Sequence, residues 1–193
     1  IGLIHVEAGI RSNDRKMPEE INRLVTDSIA NYLLPPSEDA VQNLINEGHA
    51  PETIQLVGNV MIDTLEHSKE KIMAATILEN YGLEENNYVT LTMHRPSNTD
   101  DKAALERILS AIDYIQSKLT VVFPIHPRTQ KMITQFGLND MVEAMPNLIL
   151  TEPLGYFDFG KLVAKSKFVI TDSGGIQEET TVYSIPCITI REN

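Results

Sequence analysis

Thr171-Asp172-Ser173-Gly174-Gly175-Ile176-Gln177-Glu178-Glu179 sets a glycine pair between an apolar strand, Phe168 to Thr171, and a helical run, Ile176 to Tyr183. Free backbone N–H groups at a helix start, the positive end of the helix dipole and the absence of Cβ atoms at Gly174 and Gly175 let main chain close around an anion such as a phosphate. Glycine pairs also make tight bends that bind nothing, so both readings stand at this point. Ser173 lies in Asp-Ser-Gly-Gly and not in the Gly-x-Ser-x-Gly setting of a nucleophile elbow. It is read as offering its hydroxyl and N–H to a phosphate.

Outward from this turn the chain alternates. Strands are expected at Tyr88–Met93, Thr120–Pro124, Leu148–Leu150 and Cys187–Ile190, and helices at Lys102–Ser117, Arg128–Phe136 and Phe157–Ser166. Single helices between β-branched, apolar strands imply crossover connections, hence an α/β fold with a Rossmann-like parallel sheet and helices on both faces. Earlier, Ile1–Val6 reads as a strand. Ile21, Leu24, Val25 and Ile29 mark one face of a helix from Pro18 to about Tyr32, Leu33-Leu34 suits a short strand, and Ser37 caps a helix closed by Gly48. A strand is expected at Ile54–Val57 and a long helix at Val60–Glu79. The shift near Gly58 places a domain boundary there, giving 1–57 as the end of one domain and 58–193 as a second. A start on Ile1, in a strand, and an end just after a strand suggest a fragment.

Composition narrows the ligand. The 193 residues carry 27 acidic against 16 basic side chains, a formal net charge of −11, which argues against a duplex-binding surface. No apolar run reaches the ~18–20 residues of a membrane helix, so no membrane partner is expected. The single Cys187, beside Pro186, cannot form an internal disulfide and suits a buried strand position in a reduced, cytoplasmic setting. No His/Cys/Asp/Glu spacing suits a metal, and no cofactor is implied. An anionic ligand must therefore be held by a few cations: His94, Arg95, His126, Arg128 and Arg191.

Ligands of open parallel sheets bind beyond the carboxyl ends of the strands. Those ends carry His5-Val6-Glu7-Ala8-Gly9, Met93-His94-Arg95-Pro96, Pro124-Ile125-His126-Pro127-Arg128, Glu152-Pro153-Leu154, Asp172-Ser173-Gly174-Gly175 and Arg191-Glu192. Glu7 follows an apolar strand, so a desolvated carboxyl with a raised pKa suited to proton transfer is expected. His126 can equally cap the loop after its strand. Glu19, Glu20 and Arg23 open the next helix, where a dipole interaction and an ion pair are the simpler reading, and Asp14-Arg15-Lys16 reads as a solvated loop.

Taken together, HVEAGIRSNDRKMPEEINRLVTD (5–27), LVGNVMIDTL (56–65), LTMHRPSN (91–98), FPIHPR (123–128), TEPLGYFDF (151–159) and TDSGGIQEE (171–179) closely resemble the non-hydrolysing UDP-N-acetylglucosamine 2-epimerases. The resemblance implies two Rossmann-like domains in the glycosyltransferase-B arrangement, a homodimer, and interconversion of UDP-GlcNAc and UDP-ManNAc through elimination of UDP to 2-acetamidoglucal and its re-addition. It implies acid/base roles for Glu7 and Glu19 and a functional role for His94. Ser173, Gly174 and Gly175 would hold the diphosphate and Glu179 the ribose hydroxyls. Arg95 and Arg191 would join the substrate site, and His126 matches a position that in some bacterial members contacts a second, activating UDP-GlcNAc. HRPSN stands where many members have HRREN, so one cation is missing. A catalytic aspartate and basic residues would lie upstream of Ile1 and a closing helix downstream of Asn193, leaving the fragment alone inactive. A hydrolysing relative that releases UDP and ManNAc, and a UDP-sugar-binding module without turnover, are the competing readings.

Overall fold

The computed structural model describes residues 2–191; Ile1 and Glu192, expected in the first strand and on the rim, lie outside the described residues. The chain divides into two compact units between Thr64 and Leu65.

The first unit contains β1 (Ile4–Val6), α1 (Pro18–Ile29), β2 (Tyr32–Leu34) and α2 (Glu38–Asn46). β1 and β2 pair in parallel with His5 opposite Leu33. Pro18 fits the first turn of α1 because its missing N–H would be unpaired there anyway, and Glu19 and Glu20 face the positive end of the dipole. The helix stops at Ile29, earlier than expected, because Tyr32 is drawn into β2. Its apolar face is exposed at Ile21, Val25 and Ile29, whereas Glu20 and Asp27 are its buried residues. Ser37 caps α2 by accepting from the N–H of Ala40, and Ala8, Leu33 and Leu44 form the small core. The strand expected at Ile54–Val57 is only an isolated bridge from Ile54 to Leu33, after a 3₁₀ turn at Pro51–Thr53.

Gly9 ties β1 to α2. Its φ is +76°, and an added Cβ would lie 2.3 Å from the Ala40 carbonyl oxygen and 2.8 Å from Leu44 Cγ. Backbone cannot yield as a flexible side chain can. Gly9→Ala is expected to destabilise the first unit by about 3 kcal/mol, adding left-handed strain to overpacking. Denaturant unfolding checks this, and a loss below about 1 kcal/mol would mean that α2 slides away at little cost.

α3 (Val60–Ala74) follows Gly58 and contains the division between the units; α4 (Ile77–Asn80) follows after a break. The single helix expected over Val60–Glu79 is interrupted because Ile77 and Leu78 turn into a core with Tyr88, Val122 and Leu162. The second unit then runs β3 (Tyr88–Thr92), α5 (Pro96–Thr99), α6 (Lys102–Gln116), β4 (Thr120–Pro124), α7 (Pro127–Gln135), α8 (Asn139–Glu143), β5 (Leu148–Thr151), α9 (Tyr156–Ala164), β6 (Phe168–Thr171), α10 (Gly174–Tyr183) and β7 (Cys187–Thr189). The short helices α5 and α8 lack a periodic apolar stripe and were not expected.

All five strands are parallel, in the order β5-β4-β3-β6-β7. Alternation along the strands separates two cores. Val89, Leu91, Val121 and Phe123 pack with Leu105, Leu109 and Ile112 of α6 and Ile133 of α7. Tyr88 and Val122 face the opposite way, toward α4 and α9. Helices therefore cover both faces, as expected for a Rossmann-like α/β sheet. Cys187, expected buried, is only half-buried because β7 is an edge strand. From β3 the chain builds outward through β4 to β5, then returns to add β6 and β7 on the other side. The direction reverses between β3 and β6, so a crevice opens at their carboxyl ends.

Candidate functional site

The carboxyl ends of β3 and β6 meet at a buried carboxylate. Asp172, with 0% exposure, accepts hydrogen bonds from the N–H groups of His94 (3.0 Å) and Arg95 (2.8 Å) and from Asn98 Nδ2 (3.0 Å). His94 Nδ1 lies 3.1 Å from its other oxygen. Arg95 Nε donates to the Asp172 carbonyl at 2.7 Å. Burial pushes the Asp172 carboxyl up, but these donors more than offset it and hold it at about 2. The hydrogen bond to Asp172 raises the His94 pKa against burial and against the neighbouring Arg95. His94 is thereby oriented and biased toward imidazolium, with its side chain 47% exposed. Asp172 was legible as part of the turn but not as its anchor.

A pocket of about 240 Å³ opens on this rim, lined among others by His94, His126, Pro153, Leu154, Phe159 and Ser173. The His94 and His126 rings lie 6.1 Å apart, tilted by 42°. His126 also serves the simpler role foreseen for it, since its Nδ1 accepts the Arg128 N–H at the start of α7. Arg128 itself is bound to Asp100, 2.5 Å from Nη2 to the carboxylate.

The glycine turn is helical from Gly174 onward, so α10 starts on the glycine pair. An added Cβ on Gly174 would point toward Arg191 Nη1, 3.6 Å away. A helix N-terminus and a guanidinium thus share one spot. Ser173 makes no side-chain cap, leaving its hydroxyl for other use, whereas its N–H is already donated to Thr171 Oγ1 at 3.0 Å and is not on offer to a phosphate. Glu179, one turn further along α10, is 8% exposed; burial, then the like charge of Glu178, pushes its pKa up.

Glu7 and Glu19 belong to the first unit. Glu7 is half-buried at φ +65°, a left-handed conformation that costs a glutamate of order 1 kcal/mol, and its N–H donates to the Leu34 carbonyl. Glu19 is exposed on the first turn of α1. Its neighbour Glu20 is structural: it accepts from Ser12 N–H, Ser12 Oγ and Asn13 N–H, and these bonds outweigh burial to keep its pKa low. Arg23 lies 3.8 Å from Glu20, as the simpler reading foresaw.

A second buried anchor went unseen in the sequence. Asp27 accepts from His5 Nδ1 (2.5 Å), Gly9 N–H (3.1 Å) and Arg11 Nη2 (2.6 Å), and Arg11 continues to Glu47. These bonds clamp the two ends of the segment that carries Glu7. No group of three or more metal-ligating side chains converges among the described residues, and no described helix is long and apolar enough to cross a membrane.

The UDP-N-acetylglucosamine 2-epimerase family model matches residues 1–193. A UDP-N-acetylglucosamine 2-epimerase of Methanococcus maripaludis is 41% identical over all of this chain and 54% of its own length. The UDP-2,3-diacetamido-2,3-dideoxy-D-glucuronate 2-epimerase of Pseudomonas aeruginosa is 35% identical over all of this chain and 52% of its length. Among solved structures, that of Methanocaldococcus jannaschii UDP-GlcNAc 2-epimerase in complex with UDP-GlcNAc and UDP superposes with a TM-score of 0.89 at 40% identity, over all of this chain and 54% of the other. The chain spans about half the length of the relatives it matches. With matched residues running from one end to the other, the chain belongs to the UDP-N-acetylglucosamine 2-epimerase family.

Proposed function

We propose that this chain, within a protein of its relatives' length, takes part in interconverting UDP-GlcNAc and UDP-ManNAc. The observation that carries this is the switch-point rim, where the Gly174 turn faces Arg191 and His94 is paired to buried Asp172. The turn and Arg191 suit a diphosphate, Arg95 and His126 add polar contacts on the same rim, and buried Glu179 suits two ribose hydroxyls.

In the forward reaction a carboxylate removes the C2 proton while UDP leaves C1 from the opposite face, giving 2-acetamidoglucal. UDP then returns to C1 as a proton is delivered to the other face of C2. Glu7 and Glu19 are assigned these proton transfers. The departing diphosphate carries the developing charge, and an imidazolium at His94 would stabilise it without rearranging, because Asp172 already holds the ring. The Pseudomonas relative supports a second reading in which the same C2 chemistry acts on a diacetamido uronate sugar of UDP. Release of free ManNAc would mark the hydrolysing outcome.

Gly174→Val is expected to abolish UDP binding measured by calorimetric titration while circular dichroism stays that of the wild type. The valine branches would occupy the space beside Arg191 that a phosphate needs. Binding within about twofold of wild type would remove the diphosphate assignment.

A further inference from the structure

Tyr183 closes α10, four residues after Glu179. Residues so spaced lie on one helix face, and helical side chains lean back toward the preceding turn, which directs Tyr183 toward the turn that carries Glu179. Its hydroxyl is buried without a hydrogen-bond partner, the one such side-chain atom among the described residues. Buried hydroxyls are paired in almost all proteins, and an orphan calls for a reason. Glu179, four residues back on the same helix and itself 8% exposed, is the candidate: burial, then the charge of Glu179, pushes up the pKa of Tyr183 and that of Tyr156 of α9. Glu66 of α3 also acts on Tyr183, but half its side chain is in solvent and it pairs with Lys69 at 3.6 Å.

We propose that Tyr183 is a positioning residue for nucleotide recognition, its hydroxyl donating to the Glu179 carboxylate when that carboxylate swings to accept the two hydroxyls of a bound ribose. The proposal rests on the functional reading above and extends it to a residue that touches no part of the substrate. Without ligand, the hydroxyl and the carboxylate each wait in the protein interior. With ligand, one carboxylate collects three donors, which its two oxygens can accommodate. The ribose hydroxyls and Tyr183 then reinforce one another.

Tyr183→Phe deletes the hydroxyl and keeps the ring. A hydrogen bond to a carboxylate is worth enough that UDP affinity should fall about 10-fold, read by calorimetric titration. Affinity for 2′,3′-dideoxy-UDP should be unchanged by the substitution, since that probe never calls Glu179 into position. The melting temperature without ligand should hold or rise, because an unpaired buried hydroxyl is removed. Equal losses for both nucleotides, or a fall in melting temperature, would make Tyr183 a packing residue or a partner of Glu66 and overturn the proposal. Unchanged UDP affinity in Tyr183→Phe would overturn it while leaving the functional reading intact; a wild-type protein that fails to bind UDP would overturn both.

Discussion

Glu7→Gln is expected to slow epimerisation by roughly 10²–10⁴-fold, the usual worth of a positioned acid or base, with thermal stability close to wild type. The side chain is half-buried at a left-handed strand end, and the backbone around it is held by Leu34 and by the Asp27 anchor, not by the carboxylate itself. Glu7→Gly sharpens the contrast. Glycine accepts φ +65° without strain, so this variant should be stabler by up to about 1 kcal/mol and as inactive as Glu7→Gln. Turnover by Glu7→Gln within about twofold of wild type would remove Glu7 from the chemistry.

Asp172→Ala should cost the second unit about 3–5 kcal/mol, as expected when one partner of a buried ionic network is removed. The His94 and Arg95 N–H groups and Asn98 Nδ2 would lose a shared acceptor at once, and His94 would lose the partner that orients it. Nucleotide-dependent activity should vanish in whatever fraction stays folded. Asp172→Asn keeps the shape, so it separates charge from packing. In the wild type the Asp172 carboxyl is depressed from 3.8 to about 2. Stability from this group is therefore complete above about pH 4 and is lost as pH falls toward 2, a contribution of about 2 kcal/mol. Unfolding measured against pH should show that acid limb in wild type and not in Asp172→Asn. For His94 the sign is opposite: its raised pKa adds stability that is complete below its ordinary 6.5 and is lost as pH rises through the folded value. A pH profile identical in wild type and Asp172→Asn would mean that the network is held by something else.

The parallel sheet was legible because its strands are short, apolar and β-branched and each is followed by a helix or a turn. Phe168–Thr171 was read to the residue, since a charged Asp172 and a glycine pair end it abruptly. The rim was legible for the same reason: in such a fold, whatever follows a strand faces the crevice. What escaped was long-range. Asp172 takes its partners from residues 74 to 78 positions away, and Asp27 reaches 22 positions back to His5. No local pattern encodes such pairings. Asp27 could have been suspected from Glu20, since two acids seven apart share one face of α1, but the isoleucine and valine stripe on the other face masked it. The break after Ala74 was hidden by good helix formers on both sides, because tertiary packing of Ile77 and Leu78 decides it. The backbone conformation of Glu7 left no trace in the sequence, since left-handed glutamates are imposed by surroundings.

Proton NMR of UDP-GlcNAc incubated in D₂O with the protein at its relatives' full length tests the proposed chemistry most directly. Deuterium at C2 together with UDP-ManNAc is the expected result, because elimination and re-addition exchange that proton with solvent. A substrate left unlabelled and unchanged, with UDP still bound, would contradict the epimerase reading and leave only a nucleotide-binding protein.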